Sequence, residues 1–223
     1  MRVQNQGRPT RFPICWKWAP ICKRLVGGRE MPRFKRVVIP GMPHHVIQRG
    51  NHRMSVFLDE SDRLVFLRML GVVSEEHGLI TLGYNLMTNH EHFVSIPREE
   101  SSLALTMRDL LGPYASYFNR KYGLSGRLWQ GRFYSTVLDG SHFWAALRYV
   151  ELNPVRAGMV QYAEHYRWSS APAHCGLLQD PLLSPLPGAA AMIGNWSEWL
   201  KAGNGSSELK SIRNCTKTGR PRP

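Results

Sequence analysis

Two spacings of apolar residues alternate along the chain. His44–Arg49 (His-His-Val-Ile-Gln-Arg) is a short run closed by Gly50 and Asn51, which predicts a first strand. Over residues 61 to 77 the spacing becomes helical: Leu64, Leu67 and Leu70 recur near one face, Ser61 is placed to cap the helix and Gly78 to stop it. Residues 80–87 and 90–96 then predict two strands joined at Thr88 and Asn89, the second ended by Pro97. A second helical stripe runs over 101–122 through Leu103, Met107, Leu110, Leu111, Tyr114 and Phe118. Gly112 and Pro113 inside it are expected to kink or split the helix. After a turn at 123–126, residues 128–138 predict a strand with Trp129, Phe133 and Val137 among polar positions. Ser141 is placed to cap a last helix running to about Leu152, where Pro154 blocks continuation.

The order is strand, helix, two strands, helix, strand, helix. Strands this close in sequence pair antiparallel, so the expected class is α+β, an antiparallel sheet with helices packed on one face. Residues 1–35 are basic and broken by Pro and Gly, and read as a flexible arm. Within it Met31 is a second candidate for the start of translation, which the mass of the natively expressed protein would decide. Residues 36–176 form the expected domain, with 155–176 wrapping back onto it. Residues 177–223 are richer in Pro, Gly and Ser and end in Lys210, Arg213, Lys217, Arg220 and Arg222, a loosely ordered basic tail by this reading.

Composition narrows the partners. The formal net charge of +13 and pI of about 10.1 favour polyanions, nucleic acid before other anions. The four cysteines include no C-x-x-C pair and resemble neither a zinc knuckle nor a disulfide framework, which fits a reducing cytoplasm. No run approaches the ~18 apolar residues of a membrane span. Residues 13–26 are too interrupted by Lys17, Pro20, Lys23 and Arg24 for a signal-peptide core.

The candidate chemistry lies in two pairs. His90 and His92 are two apart, so on a strand both imidazoles leave the same face. Tyr149 and Asn153 are four apart, so on a helix they share a face, while Phe143, Leu147 and Val150 form a separate apolar face for the core. Facing each other, the pairs would gather two imidazoles, an amide oxygen and a phenol around one point: a metal site beside a nucleophile, suited to phosphodiester chemistry. Each pair also has an ordinary reading. Two histidines on a solvated strand need no metal, and Asn before Pro commonly ends a helix. Tyr114, Tyr117 and Tyr122 are rival nucleophiles.

Five segments follow one another in order: Pro43-His44-His45-Val46-Ile47-Gln48-Arg49-Gly50-Asn51, Met87-Thr88-Asn89-His90-Glu91-His92-Phe93, Leu128-Trp129-Gln130-Gly131-Arg132-Phe133, Arg148-Tyr149-Val150-Glu151-Leu152-Asn153-Pro154-Val155-Arg156-Ala157-Gly158 and Tyr166-Arg167-Trp168-Ser169-Ser170. Over about residues 36 to 175 the series resembles the single-tyrosine HUH transposases, most of all the branch associated with bacterial repetitive extragenic palindromes (REP).

The resemblance implies a ferredoxin-like HUH nuclease sandwich. It implies that His90, His92 and Asn153 bind a divalent metal, Mg²⁺ or Mn²⁺, and that Tyr149 is the nucleophile. It implies cleavage of single-stranded hairpin DNA through a 5′-phosphotyrosine, with no small-molecule cofactor and no membrane, in the bacterial cytoplasm and at the nucleoid. Monomer and homodimer both stay open. The middle position of the HUH motif is ordinarily hydrophobic; here it is Glu91, expected to be buried and paired or solvent-exposed. Arg49, Arg127, Arg132, Arg148, Arg156 and Arg220 are candidate DNA contacts, and Trp129 and Phe133 are candidates for base stacking, with core packing as their alternative. His44, His45 and His52 are expected to be structural or near the substrate. A non-cleaving hairpin binder and an RNA-binding protein with incidental histidines are the rival readings.

Overall fold

The computed structural model describes residues 36–203. Strands β1 (His44–Arg49), β2 (Leu79–Leu86), β3 (His90–Pro97) and β4 (Tyr134–Val137) form one antiparallel sheet in the order β2-β3-β1-β4. β2 and β3 pair because the chain reverses at once between them. β1 lies beside β3 with Ile47 opposite His92 and Gln48 opposite Glu91. This register puts His45, Ile47, Arg49, His90, His92 and Val94 on one face and Val46, Gln48, Glu91 and Phe93 on the other.

The second face packs on α1 (Glu60–His77) and α2 (Ser102–Tyr122). Val46, Tyr84, Leu86 and Phe93 meet Phe66 and Leu70 of α1 and Met107, Leu110, Tyr114 and Phe118 of α2. The α+β class and this two-layer packing are as expected. A partial third layer, α3 (Gly140–Glu151), covers the histidine face, where Ala146, Leu147 and Val150 pack on Leu82 and Val94. Gly83 permits the approach: beside a bulge in β2, a Cβ there would lie 2.3 Å from Leu147 Cδ1.

Several local expectations need correction. The cap of α1 is Asp59, not Ser61: the Asp59 carboxylate accepts from Asp62 N–H, and the Asp62 carboxylate accepts from Asp59 N–H. α2 runs unbroken through Pro113, held by the buried stripe on both sides of it. Only Tyr134–Val137 of the expected 128–138 strand joins the sheet. Residues 128–133 instead form an irregular edge tied to β1, with Gln130 N–H donating to Arg49 O and Gln48 Nε2 to Gly131 O. The cap of α3 is Asp139, whose carboxylate accepts from His142 N–H. The helix ends at Glu151, and Asn153 opens a separate turn, α4 (Asn153–Arg156).

Residues 177–203 do not match the expectation of a loose tail. Here α6 (Trp196–Ala202), beyond the short α5 (Ala171–His174), buries Trp196 and Leu200 against the α3 layer. The expected N-terminal arm, Met31 and the basic end at 204–223, including Arg220, lie outside the described residues.

Candidate active site

The β3 register and the α3 layer bring the two predicted pairs together. His90 and His92 leave the same face of β3 with ring centroids 5.0 Å apart. The Tyr149 ring stands edge-on to His92 at 5.8 Å and to His45 at 6.0 Å. His45, from the neighbouring strand, places Nε2 3.0 Å from His92 Nδ1. On His90, Nδ1 lies 2.6 Å from Asn89 Oδ1, and Asn89 Nδ2 donates to Arg53 O at 3.0 Å.

Tyr149 is held where its helix breaks. Because Pro154 has no N–H, the Val150 carbonyl loses its helical donor; it accepts instead from Asn85 Nδ2 of β2 at 2.9 Å. The Tyr149 carbonyl accepts from Arg156 Nη2 at 2.6 Å, and the same nitrogen reaches Asn153 Oδ1 at 3.1 Å. The Arg156 guanidinium lies over the Tyr149 ring, 4.2 Å from its centre. Asn153 therefore joins the group through Arg156. Three bonds to the fully buried Glu151, from Ser170 Oγ, His174 Nδ1 and Trp196 Nε1, tie the end of α3 to α5 and α6.

The electrostatics favour neutral imidazoles. Burial, with Arg49 nearby, pushes His90 down to about 4, and burial pushes His45 down to about 4. His92 is held well below its ordinary value by burial and then by the neighbouring His90, His45, Arg156 and Arg49. Neutral imidazoles keep the lone pairs that metal ligation needs. Among the described residues no three His, Cys, Asp or Glu side chains form a metal cluster; the expected set has two histidines and an amide. Two orphaned polar atoms give that set a test. His92 Nε2 and Asn153 Nδ2 are both buried without a hydrogen-bond partner. A cation beside His92 would satisfy the first, so the histidines fit a divalent metal; Asn153 Nδ2 is a donor that no cation satisfies, and Oδ1 is the atom of that amide that could ligate.

Glu91 meets neither expectation. It is 0% exposed on the opposite face of β3, and neither carboxylate oxygen has a partner. Burial raises its pKa well above the ordinary carboxylate value, against a smaller opposing pull from its own backbone N–H, and so favours the neutral acid. The rival tyrosines lie away from the histidines. Tyr114 donates to Val56 O inside the core, and Tyr117 and Tyr122 bond Asp62 between α1 and α2.

Of the candidate DNA contacts, Arg49 and Arg156 are at the histidine site, while Arg148 stacks on Trp199 at 4.0 Å. Arg127 and Arg132 line an open groove with Arg36, between α2 and the 126–133 edge. Trp129 packs against Phe66 and Tyr114 and donates Nε1 to Leu111 O, and Phe133 is buried, so both rings serve the core. His44 is buried with Nδ1 on Met42 O, and His52 is exposed. Sequence reasoning passed over Asn85, Asn89 and the contact of His45 with His92. The available signal was a polar Asn85 and His45 among the apolar residues of β2 and β1, and an asparagine directly before His90.

Comparison with known proteins agrees with this fold. The family described as "Transposase IS200 like" matches residues 39–153, just over half of the 223-residue chain. A solved structure of a REP-associated tyrosine transposase bound to a REP hairpin is similar at a TM-score of 0.53 and 16% identity, covering 71% of this chain and 100% of that one. A second, described as a transposase of Deinococcus radiodurans, aligns at a TM-score of 0.39 and 16% identity, covering 54% of this chain and 96% of its own. No curated protein matches the chain. Among the described residues no helix is long and apolar enough to cross a membrane. With the family matched over half its length, the chain belongs to the IS200-like transposases, enzymes that cut and join DNA.

Proposed function

We propose that the protein nicks and rejoins single-stranded DNA folded as a hairpin, with Tyr149 as the nucleophile and His90, His92 and Asn153 holding Mg²⁺ or Mn²⁺. The observation that carries this reading is the phenol ring 5.8 Å from a buried histidine whose Nε2 has no partner.

Tyr149 Oη attacks the scissile phosphorus. The new Oη–P bond forms as the P–O3′ bond breaks, the phenolic proton passes to solvent, and the departing oxygen takes up a proton to become a 3′-OH. The protein is left with a 5′-phosphotyrosine, and attack by a 3′-OH on that linkage rejoins strands. A phenol, with an ordinary pKa near 10, is a weak nucleophile at neutral pH, so the phosphate must be made more electrophilic. Bound metal would supply positive charge to the phosphate's non-bridging oxygens. Neutral histidines and an amide leave that charge undiminished.

Arg156 lies across the phenol and fixes its orientation through the Tyr149 carbonyl. Asn153 Oδ1 keeps a second lone pair while it accepts from Arg156, so that oxygen could meet a metal with the bond in place, and a DNA phosphate offers the guanidinium another acceptor. Arg49 adds positive charge beside the histidines, and Arg127 and Arg132 line a basic groove suited to flanking phosphates. The hairpin substrate is supported by the five motifs and by the similar solved transposase, which is bound to a REP hairpin. Mg²⁺ and Mn²⁺ suit a mixed nitrogen and oxygen set with open positions, Mn²⁺ being the better nitrogen binder.

The test is incubation with 5′-labelled single-stranded hairpin DNA, with Mn²⁺ or Mg²⁺ and with chelator. A metal-dependent covalent protein–DNA adduct that disappears in Tyr149→Phe, with hairpin binding retained, is the expected result. Cleavage persisting in Tyr149→Phe would remove Tyr149 as nucleophile; selective binding without any adduct would make the protein a non-cleaving hairpin binder.

A further inference from the structure

We infer that His45 and Asn89 are positioning residues that fix the tautomers of His92 and His90, so that both histidines keep an Nε2 lone pair for a cation. The inference rests on the metal role proposed above for His90 and His92, and it assigns the partners that make that role possible.

For His90 the logic starts at the Asn89 amide. Its Nδ2 donates to Arg53 O at 3.0 Å, which fixes the amide orientation and turns Oδ1 toward His90 Nδ1, 2.6 Å away. An amide oxygen only accepts, so His90 Nδ1 carries the hydrogen. In a neutral imidazole the lone pair then sits on Nε2. The Arg53 carbonyl is presented by a turn in which His52 and Arg53 have φ of 47° and 61°. Two adjacent non-glycine residues in the left-handed region are strained, and such strain persists where neighbouring structure demands it. Here it holds the acceptor that orients Asn89.

For His92 the partner is His45 Nε2, 3.0 Å from His92 Nδ1. One of the two nitrogens donates. If His45 donated, the hydrogen of neutral His92 would lie on Nε2, which is buried and has no acceptor. If His92 donates, Nε2 carries a lone pair that a cation can satisfy. Only the second arrangement lets the metal resolve the orphan. His45 therefore does for His92 what Asn89 does for His90: it accepts the Nδ1–H and turns the opposite nitrogen into a ligand. In this arrangement neither residue is assigned as a ligand: the single lone pair of His45 Nε2 is taken by the His92 hydrogen, and Asn89 Oδ1 faces Nδ1, the ring nitrogen of His90 that does not ligate.

Two measurements on the full chain test this. Long-range ¹H–¹⁵N NMR of the metal-free protein is expected to show His90 and His92 both as Nδ1–H tautomers. An Nε2–H tautomer at either histidine would overturn the assignment for that residue, whatever the metal does. Mn²⁺ binding, followed by electron paramagnetic resonance, is expected to weaken about 10- to 100-fold in His45→Phe and in Asn89→Ala. His45→Gln, whose side-chain oxygen can accept the same hydrogen, should recover most of the loss. Cleavage by His45→Phe should return at high Mn²⁺, a rescue that general structural damage would not show. Unchanged Mn²⁺ affinity in His45→Phe sinks the proposal. If the wild type binds no Mn²⁺, the metal reading itself fails while the tautomers are still measured. If His45→Phe does not fold, the wild-type tautomers and the Asn89→Ala affinity decide.

Discussion

Glu91 is a stability defect in the middle of the sheet, and replacing it should stabilise the protein. The side chain is 0% exposed, between Gln48 and Leu86 on neighbouring strands, and neither oxygen finds a donor. A buried polar group without a partner costs about 1–3 kcal/mol. Glu91→Leu removes that cost, has one side-chain heavy atom fewer and points away from the histidines, so the expected gain is about 2 kcal/mol from this cost alone, before ionisation of the unfolded carboxyl adds to it. For a domain of this size that is a rise in Tm of roughly 4–8 °C. The effect should depend on pH with a definite sign. Because burial raises the folded carboxyl's pKa, the native state keeps a proton that the unfolded chain releases above about 4.5. The wild type therefore loses stability from this group as pH rises above that point, and the advantage of leucine grows from pH 5 to pH 8. His45 and His90, both pushed down to about 4, act in the opposite direction below their ordinary 6.5, but equally in both proteins, so they cancel in the difference. Glu91→Gln separates the two contributions: it keeps the unpaired polar atoms but cannot ionise, so it should remove the pH dependence and little of the constant cost. Urea unfolding at pH 5, 6.5 and 8 with chelator present reads all three proteins. A Glu91→Leu protein less stable than the wild type, or a difference that does not change with pH, would refute the argument.

Asn85→Leu removes the donor to the Val150 carbonyl and should cost about 1–3 kcal/mol in urea unfolding, while lowering the single-turnover cleavage rate under conditions where the variant is fully folded. Normal cleavage by that folded variant would show that α3 needs no such anchor. Gly83→Ala drives a methyl group to 2.3 Å from Leu147 Cδ1 and should destabilise by about 1–3 kcal/mol, seen as a lower Tm; an unchanged Tm would mean that Leu147 moves aside freely. Burial opposes ionisation of Asp62, but bonds from Lys121, Leu58 N–H and Tyr122 outweigh it and hold the carboxyl below its ordinary 3.8. A depressed carboxyl stabilises the fold above that value and loses the contribution as pH falls below it. Lys121→Met should therefore lower stability at pH 7 and flatten the fall below about pH 4, measured by thermal unfolding across that range; an unaltered acid profile would remove Lys121 from the account.

The parts of the fold set by local period were legible, and those set by partners far along the chain were not. Spacings of two and four were enough to put His90 with His92 and to place Tyr149 on a face separate from Phe143, Leu147 and Val150. The start of β4 and the docking of Trp196 depend on contacts that no local window contains. The hydrogen bond from His45 to His92 spans 47 residues. Glu91 and Glu151 show the limit sharply. Both are fully buried glutamates next to site residues, and in sequence nothing separates them. In the structure Glu151 has donors from Ser170, His174 and Trp196, while Glu91 has none on either oxygen. What the sequence did carry was the anomaly itself. Eight polar residues, His44, His45, Gln48, Thr81, Asn85, Glu91, His92 and Ser95, occupy buried positions on the adjacent strands β1, β2 and β3, where burial alone would favour valine or isoleucine. Local preference and fold disagree there, and such disagreements concentrate at functional sites. Of these eight, His45, Asn85 and His92 surround Tyr149 or its helix, while Gln48 braces the 128–133 edge. Thr81, Ser95 and Glu91 all carry side-chain oxygens without a partner, but only Glu91 can ionise, and for that reason its replacement is the sharpest test of whether polarity in this sheet is there for chemistry.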